Sequence, residues 1–355
     1  MELESDGRLA SKKNLLVINY AVDERNQVFA HQTEAVIRLS KKFRKVYVIT
    51  SSKGQAYLPN NVTVTESRWM QGKRIRNSFR FICKFFQVYF RDKNIVIFSH
   101  MTEVQSALIS PFTKVMGIKH IIWYAHASRS IAMNVNRYLL DGIASSTTGS
   151  CPYMGDKIAI VGQAIDENFF TSYERNFDPP YKFVHIGRTD PSKKIELIIQ
   201  TIENLNRMGF DSSLTVVGGP SSAKSNGYRQ SLESLRESLE NPFSIIFSGP
   251  VQRDLLPEYL KAFNLFIHAF QGSLDKSLIE ATLLGIPVLT LNTEYRNIFG
   301  SWNLKPASSL EEEFVAMTSL SKDQINFEIN RRRELAVRRH SLSGWVEKIY
   351  KLLVN

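Results

Sequence analysis

Four short segments place cations, a carboxylate and glycines where a nucleotide could be held. In Gly187-Arg188-Thr-Asp-Pro-Ser-Lys193 two cations stand close together after an apolar run, and two such charges can stabilise a departing diphosphate. Gly218-Gly219-Pro220 and Ser248-Gly249-Pro250 follow two further apolar runs, and glycine there lets the backbone approach a base or ribose closely. The fourth segment runs from Ala269 to Pro287 and reads as a strand end, a polar loop with Gly272 and Ser273, and a short helix. Asp275 is its expected cap, Glu280 lies inside it, and Gly285 with Pro287 stops it. The amides of Lys276, Ser277 and Leu278 then sit at the positive end of the helix dipole without intrahelical acceptors, a place that suits a diphosphate.

In this order and with these gaps the segments resemble the retaining glycosyltransferases of family 4, which share the two-domain fold called GT-B. The resemblance covers Lys182 to Val288. His185-Ile-Gly-Arg-Thr-Asp-Pro-Ser-Lys193 is similar to the family's Gly-Arg…Lys segment, and Ile279-Glu-Ala-Thr-Leu-Leu-Gly-Ile-Pro-Val288 to its Glu-Ala…Gly-x-Pro-Val segment. The resemblance implies that Arg188 and Lys193 hold the donor diphosphate and that Glu280 accepts hydrogen bonds from the ribose hydroxyls. It also implies that His126, in Tyr124-Ala-His-Ala127, borders the donor sugar. The family usually carries a second glutamate eight positions before the ribose-binding one, in contact with the transferred sugar, and here that position is Gly272. Asp275 or Lys276 is the candidate substitute, with a plain N-cap the alternative for Asp275. The family's glycine-rich first loop is also missing. The polar stretch Ala21–Phe29, with Asn26 and Gln27, is expected to shape the acceptor side.

The elements that must position these residues alternate. Apolar runs at 14–20, 45–50, 62–65, 94–98, 119–124, 143–146 and 158–161 are expected strands, with helical spacing at 29–42 and 104–116. After a Pro-containing linker at 166–180 the pattern restarts, with strands at 181–186, 213–217, 244–247 and 265–268 and helices over 195–208, 228–239 and 255–262. Such alternation means βαβ units and parallel sheets covered on both faces. The expected fold is therefore α/β, of GT-B type: two doubly wound, Rossmann-like domains over 1–165 and 181–341 facing a cleft. A last helix within 342–355 is expected to cross back to the first domain. Ligands of open parallel sheets bind outside the carboxyl ends of the strands, which gathers all four segments at one site.

Two cysteines, Cys83 and Cys151, make neither a disulfide framework nor a metal cluster. No apolar run is long enough to span a bilayer and the first residues are polar. A reducing interior is expected. The net charge is +11 and one-sided: residues 1–165 hold 23 Lys+Arg against 11 Asp+Glu, while 166–355 hold 22 against 23. Such a half suits an anionic leaflet or a nucleic acid. From Arg68 to Lys93 eight basic residues and one acidic residue interleave with Trp69, Phe79, Phe81, Phe85, Phe86, Tyr89 and Phe90. On a helical wheel Phe79, Ile82, Phe86 and Tyr89 share one face, and Arg80, Lys84 and Arg91 another. That pattern favours an anionic membrane surface, with Trp69 near the lipid phosphates, over nucleic acid.

The expected activity is transfer of a hexose or related sugar from a nucleotide-diphosphate donor to a glycan or lipid-linked acceptor, in cell-surface polysaccharide synthesis at the cytoplasmic face of the membrane. The resemblance implies retention, with a phosphate oxygen taking the acceptor's proton and no metal or other cofactor required. The alternatives are a nucleotide-sugar-binding protein that has lost catalysis, motivated by Gly272, and a nucleic-acid-binding protein, motivated by the basic half. A sugar-nucleotide epimerase is the nearest enzymatic competitor.

Overall fold

The computed structural model describes residues 13–26, 29–70, 72–220, 223–303 and 307–355, and divides into two compact units. Unit 1 holds the chain up to Ala164 together with Leu342–Asn355, and unit 2 spans Ile165–Ser341.

Unit 1 alternates β1 (Asn14–Val22), α1 (Ala30–Ser40), β2 (Val46–Lys53), β3 (Val62–Glu66), α2 (Arg74–Arg91), β4 (Ile95–His100), α3 (Glu103–Val115), β5 (His120–Trp123), α4 (Ile131–Leu139), β6 (Gly142–Ser145) and β7 (Ile158–Ile160). The strands form one seven-stranded sheet in the order β3-β2-β1-β4-β5-β6-β7, and every pairing is parallel. β1 and β4 are buried almost throughout, which is why their sequences read as unbroken apolar runs and not as alternation. The order reverses between β1 and β4, where the Gln32 carboxamide ties the strand ends: its oxygen accepts from the amides of Tyr20 (2.9 Å) and Ala21 (3.3 Å), and its nitrogen donates to His100 O (3.4 Å). Asn26 lies just before α1, where its side-chain oxygen accepts from Phe29 N at 2.8 Å. Gln27 and Val28 lie outside the described residues. His120, buried in β5, sits 2.8 Å from Ser99 Oγ, and burial pushes its imidazole down to about 3.

Unit 2 runs β8 (Tyr181–Ile186), α5 (Ile195–Arg207), β9 (Ser212–Val217), α6 (Ala223–Glu237), β10 (Ile245–Gly249), α7 (Leu256–Tyr259), β11 (Leu265–His268), α8 (Lys276–Leu283), β12 (Val288–Thr290), α9 (Thr293–Phe299), α10 (Leu310–Thr318) and α11 (Lys322–His340). Its five strands are again parallel, in the order β10-β9-β8-β11-β12. The reversal falls between β8 and β11, so the loops after Ile186 and after His268 flank one crevice position. α12 (Leu342–Val354) closes the chain and packs on α1, β4 and β5, with Trp345 edge-on to Phe98 (5.6 Å between centroids) and to Trp123 (5.5 Å).

Several expected elements shift. The helix expected over 255–262 is broken into a 3-10 turn, the short α7 and a second 3-10 turn, with Pro257 at its start. α6 begins earlier than expected, and α4, β12 and α9–α11 occupy stretches for which no element was expected. In α2 the face turned to the core is Phe81, Phe85 and Val88, while on the face read as membrane-docking Phe79 is exposed and Ile82, Phe86 and Tyr89 are partly buried. Trp69 is partly buried, edge-on to Phe81 at 6.5 Å between centroids, so its ring packs against the core.

Candidate active site in unit 2

The site is assembled by strand ends that lie side by side. Gly187 N donates to Val217 O at 3.0 Å, Gly218 N to Gly249 O at 2.9 Å, and Thr189 N to Gly219 O at 2.8 Å, lacing the loops after β8, β9 and β10 together. Gly218 has φ +129°, and a Cβ there would stand 1.9 Å from Gly187 O. Only glycine fits that crossing. His185, fully buried at the end of β8, is positioned with Nδ1 3.0 Å from Ile267 O, while Nε2 has no protein partner. Burial, helped by nearby His268, pushes its imidazole down to about 3, so the ring is neutral at ordinary pH.

Asp275 occupies the N-cap position of α8 but its side chain makes no capping bond. Its Oδ2 instead accepts from the Lys193 ammonium and from His268 Nε2 at 3.0 Å. His268 is set in turn by Thr290 Oγ1, 3.2 Å from Nδ1, and Thr290 Oγ1 accepts from Asn292 N at 3.1 Å. Burial works against the Asp275 charge, but the hydrogen bond and charge of His268 and then the Lys193 ammonium outweigh it and hold the carboxyl well below the usual carboxylate range. The carboxylate that could satisfy the first amides of α8 is thus turned away from them. An anionic ligand can take its place.

Lys193 is nearly buried and lies over the Phe270 ring at 4.1 Å from its centroid. Arg188 is mostly exposed and reaches Asp190 Oδ2 at 3.5 Å, while Asp190 Oδ1 accepts from Ser225 Oγ at 2.6 Å. The two cations expected to act alike differ: one is buried in an ion pair, the other stands in solvent. Glu280 is 5% exposed and its Oε1 accepts from Arg253 Nη1 at 2.9 Å. A buried carboxylate needs such a partner. At Gly272 a Cβ would meet the Phe270 ring at 2.1 Å, so an aromatic ring fills the volume that a side chain at 272 would take. Asn292 Nδ2 fixes this loop by donating to Phe270 O (3.0 Å) and Gly272 O (3.2 Å), and reaches Ser273 O at 3.5 Å. Lys276 and Ser277 are half-buried in the first turn of α8, and the Leu278 side chain lies in the core, leaving only its backbone for a ligand.

His126 lies in unit 1, exposed in the loop after β5, edge-on to Tyr124 at 5.5 Å between centroids. Tyr124 Oη anchors that loop by donating to Ser128 O at 2.7 Å. The sequence reading missed Arg253, His268, Phe270 and Asn292. His268 carried a signal, as the last residue of a buried strand; Arg253 carried none.

Two parallel, doubly wound sheets with these strand-end loops define the GT-B class of glycosyltransferase folds. Residues 167–299, within unit 2, match the family model for glycosyl transferases group 1. Solved structures of the same fold include the Anabaena protein HepE in complex with UDP-glucose, at 14% identity, a TM-score of 0.73 and coverage of 96% of this chain and 99% of that one. Sucrose-phosphate synthase from Thermosynechococcus elongatus is similar at 12% identity, TM-score 0.73, covering 96% and 98%. WaaG, a glycosyltransferase involved in lipopolysaccharide biosynthesis, is similar at 14% identity, TM-score 0.66, covering 96% and 100%. A search of the curated proteins gives no significant match.

Proposed function

We propose that the chain transfers a sugar from a nucleoside-diphosphate donor to a glycan or lipid-linked acceptor, with retention, in the synthesis of a cell-surface polysaccharide. The observation that carries this reading is the diverted cap: Asp275 faces Lys193 and His268, leaving the amides of Ser277 and Leu278 to a diphosphate, with buried Glu280 one turn further on for the ribose. The acceptor oxygen attacks the anomeric carbon on the face the diphosphate leaves, the bond from that carbon to the phosphate oxygen breaks, and the acceptor's proton passes to a phosphate oxygen. Lys193 and Arg188 stabilise the charge that develops on the leaving group, so no metal is required. HepE is solved with UDP and with UDP-glucose, so uridine nucleotides are the first donors to try here.

The test is thermal stabilisation by a panel of nucleoside diphosphates and their sugars, followed by anomeric analysis of the product. A specific donor must raise the melting temperature; no stabilisation by any nucleotide sinks the proposal. The Phe270 ring in the place of a sugar-reading side chain favours a second reading, a nucleotide-sugar-binding protein without catalysis. Binding without transfer or donor hydrolysis would select it. The basic half of the chain works at an anionic membrane surface on the cytoplasmic side, where a lipid-linked acceptor is found; no described helix is long and apolar enough to cross a membrane.

A further inference from the structure

α2 has three long faces: one is buried in the core, and a second touches the core only through its middle residues Ile82 and Phe86. Phe81, Phe85 and Val88 pack inward with Asn77. At about 100° per residue, Ile75, Phe79, Ile82, Phe86 and Phe90 form a second stripe, and Arg76, Arg80, Lys84 and Arg91 a third beside it. The second stripe stands largely in the open: Ile75 is 88% exposed, Phe79 71% and Phe90 72%. In its middle Phe86 stacks on Phe90 (5.9 Å between centroids) and meets Phe112 of α3 edge-on (5.2 Å). One turn beyond Phe112 is Val115, 89% exposed. Single exposed apolar residues are ordinary; a connected row of them marks an interaction surface.

The cations follow the row. Lys73, Arg74, Arg76, Arg91 and Lys93 are exposed, and the first turn of α2 forms a shallow groove lined by Lys73, Arg74, Ile75, Arg76 and Phe79. Arg80 is engaged at the carbonyls of Ser67 (3.3 Å) and Arg68 (3.0 Å), holding the preceding loop against the helix. The one acidic residue of the segment, Asp92, is occupied by Asn14 Nδ2 (2.5 Å) and Tyr47 Oη (3.3 Å).

We propose that the α2–α3 face docks on an anionic lipid bilayer, with Ile75, Phe79 and Phe90 entering at the headgroup level and Lys73, Arg74, Arg76 and Arg91 taking lipid phosphates. The proposal rests on the membrane-surface reading above and not on sugar transfer. Parallel apolar and basic stripes are the order of an interfacial helix. A second copy would bring two positive rows together, and stacking of nucleic-acid bases calls for rings set among the cations in one groove.

The test is co-sedimentation of the full chain with vesicles of phosphatidylcholine alone or mixed with phosphatidylglycerol, for wild type, F79S/F90S and R74E/R76E. The wild type should partition at least tenfold better onto the mixed vesicles, and each variant should lose tenfold or more. Removing one cation near the surface is worth about fivefold. Acidic residues suit the first turn of a helix, so R74E/R76E keeps α2 folded. Nucleoside-diphosphate binding should be unchanged in both variants, which separates failure of the docking surface from failure of the donor site. Equal partition onto both vesicle types, or variants that bind like wild type, overturns the proposal. So does tight oligonucleotide binding or a wild-type dimer that F79S/F90S abolishes.

Discussion

The two units are built from the same kind of parallel sheet, yet they treat charge in opposite ways. Among the described residues unit 1 buries no Asp, Glu, Lys or Arg, whereas unit 2 buries Asp190, Lys193, Glu203, Glu280, Glu313 and Arg332. At the reversal point of unit 1 a neutral carboxamide, Gln32, joins the strand ends; at that of unit 2 the joint is ionic, Lys193 to Asp275 with His268 behind. Burying ions is costly unless they are paired, and it yields little net stability over an apolar replacement. The pair that joins the strand ends, Lys193 with Asp275, is therefore the candidate for chemistry in unit 2. Some of these ions are purely structural. Glu313 accepts from Arg296 (2.7 Å) and from Trp302 N (2.9 Å), joining α9 to α10. The site is marked by ions that also meet a diverted helix cap.

The contrast can be broken at several points. Trp345→Ala should destabilise unit 1 by about 3–5 kcal/mol, because a fully buried indole leaves a cavity among Phe98 and Trp123; in a two-step melt only one transition should move. Lys193→Ala should lower kcat/KM for transfer by about 10³-fold, with a melting curve on the same protein separating lost chemistry from lost fold. Arg188→Ala should also abolish most turnover while leaving the melt unchanged, since Arg188 is in solvent; wild-type kinetics in either variant would remove the site. Glu280→Gln should weaken nucleotide binding roughly 10–100-fold. If the ribose contact is the cause, a 2′,3′-dideoxy nucleotide binds the wild type as weakly as it binds the variant. The smallest effect per step is in pH. His185 is held neutral with its value near 3, so the unfolded chain takes up a proton first as pH falls below about 6.5. Stability should then drop by about 1.4 kcal/mol per unit between about 6.5 and 3. His120 contributes in the same sense in unit 1. A flatter profile in His185→Phe, read by denaturant melts, checks the assignment.

Much of the fold was legible because parallel strands covered on both faces leave long apolar runs. β8 and β11 fall at the expected residues, and Gly285 (φ +69°) ends α8 as its position before Pro287 suggests. α4 escaped because Ile131, Val135 and Tyr138 are exposed, so its apolar spacing does not report a core. α2 carries two apolar stripes, of which the one through Phe81 and Phe85 is buried and the one through Phe79 and Phe90 is largely exposed. A wheel finds stripes; it does not say which one is covered.

The stretch from Ala269 to Pro287 divides the two sources of information most clearly. Its residue types alone determined a loop, a short helix, a carboxylate at Glu280 and a missing side chain at Gly272. Tertiary structure decided that Asp275 is not a cap, that Arg253 rather than solvent meets Glu280, and that Phe270 fills the space at Gly272. Local preferences act within a few residues and can be read along the chain. Lys193 lies 82 residues from Asp275 and Arg253 27 from Glu280, and only the placing of β8 beside β11 and the packing around α8 bring them within reach.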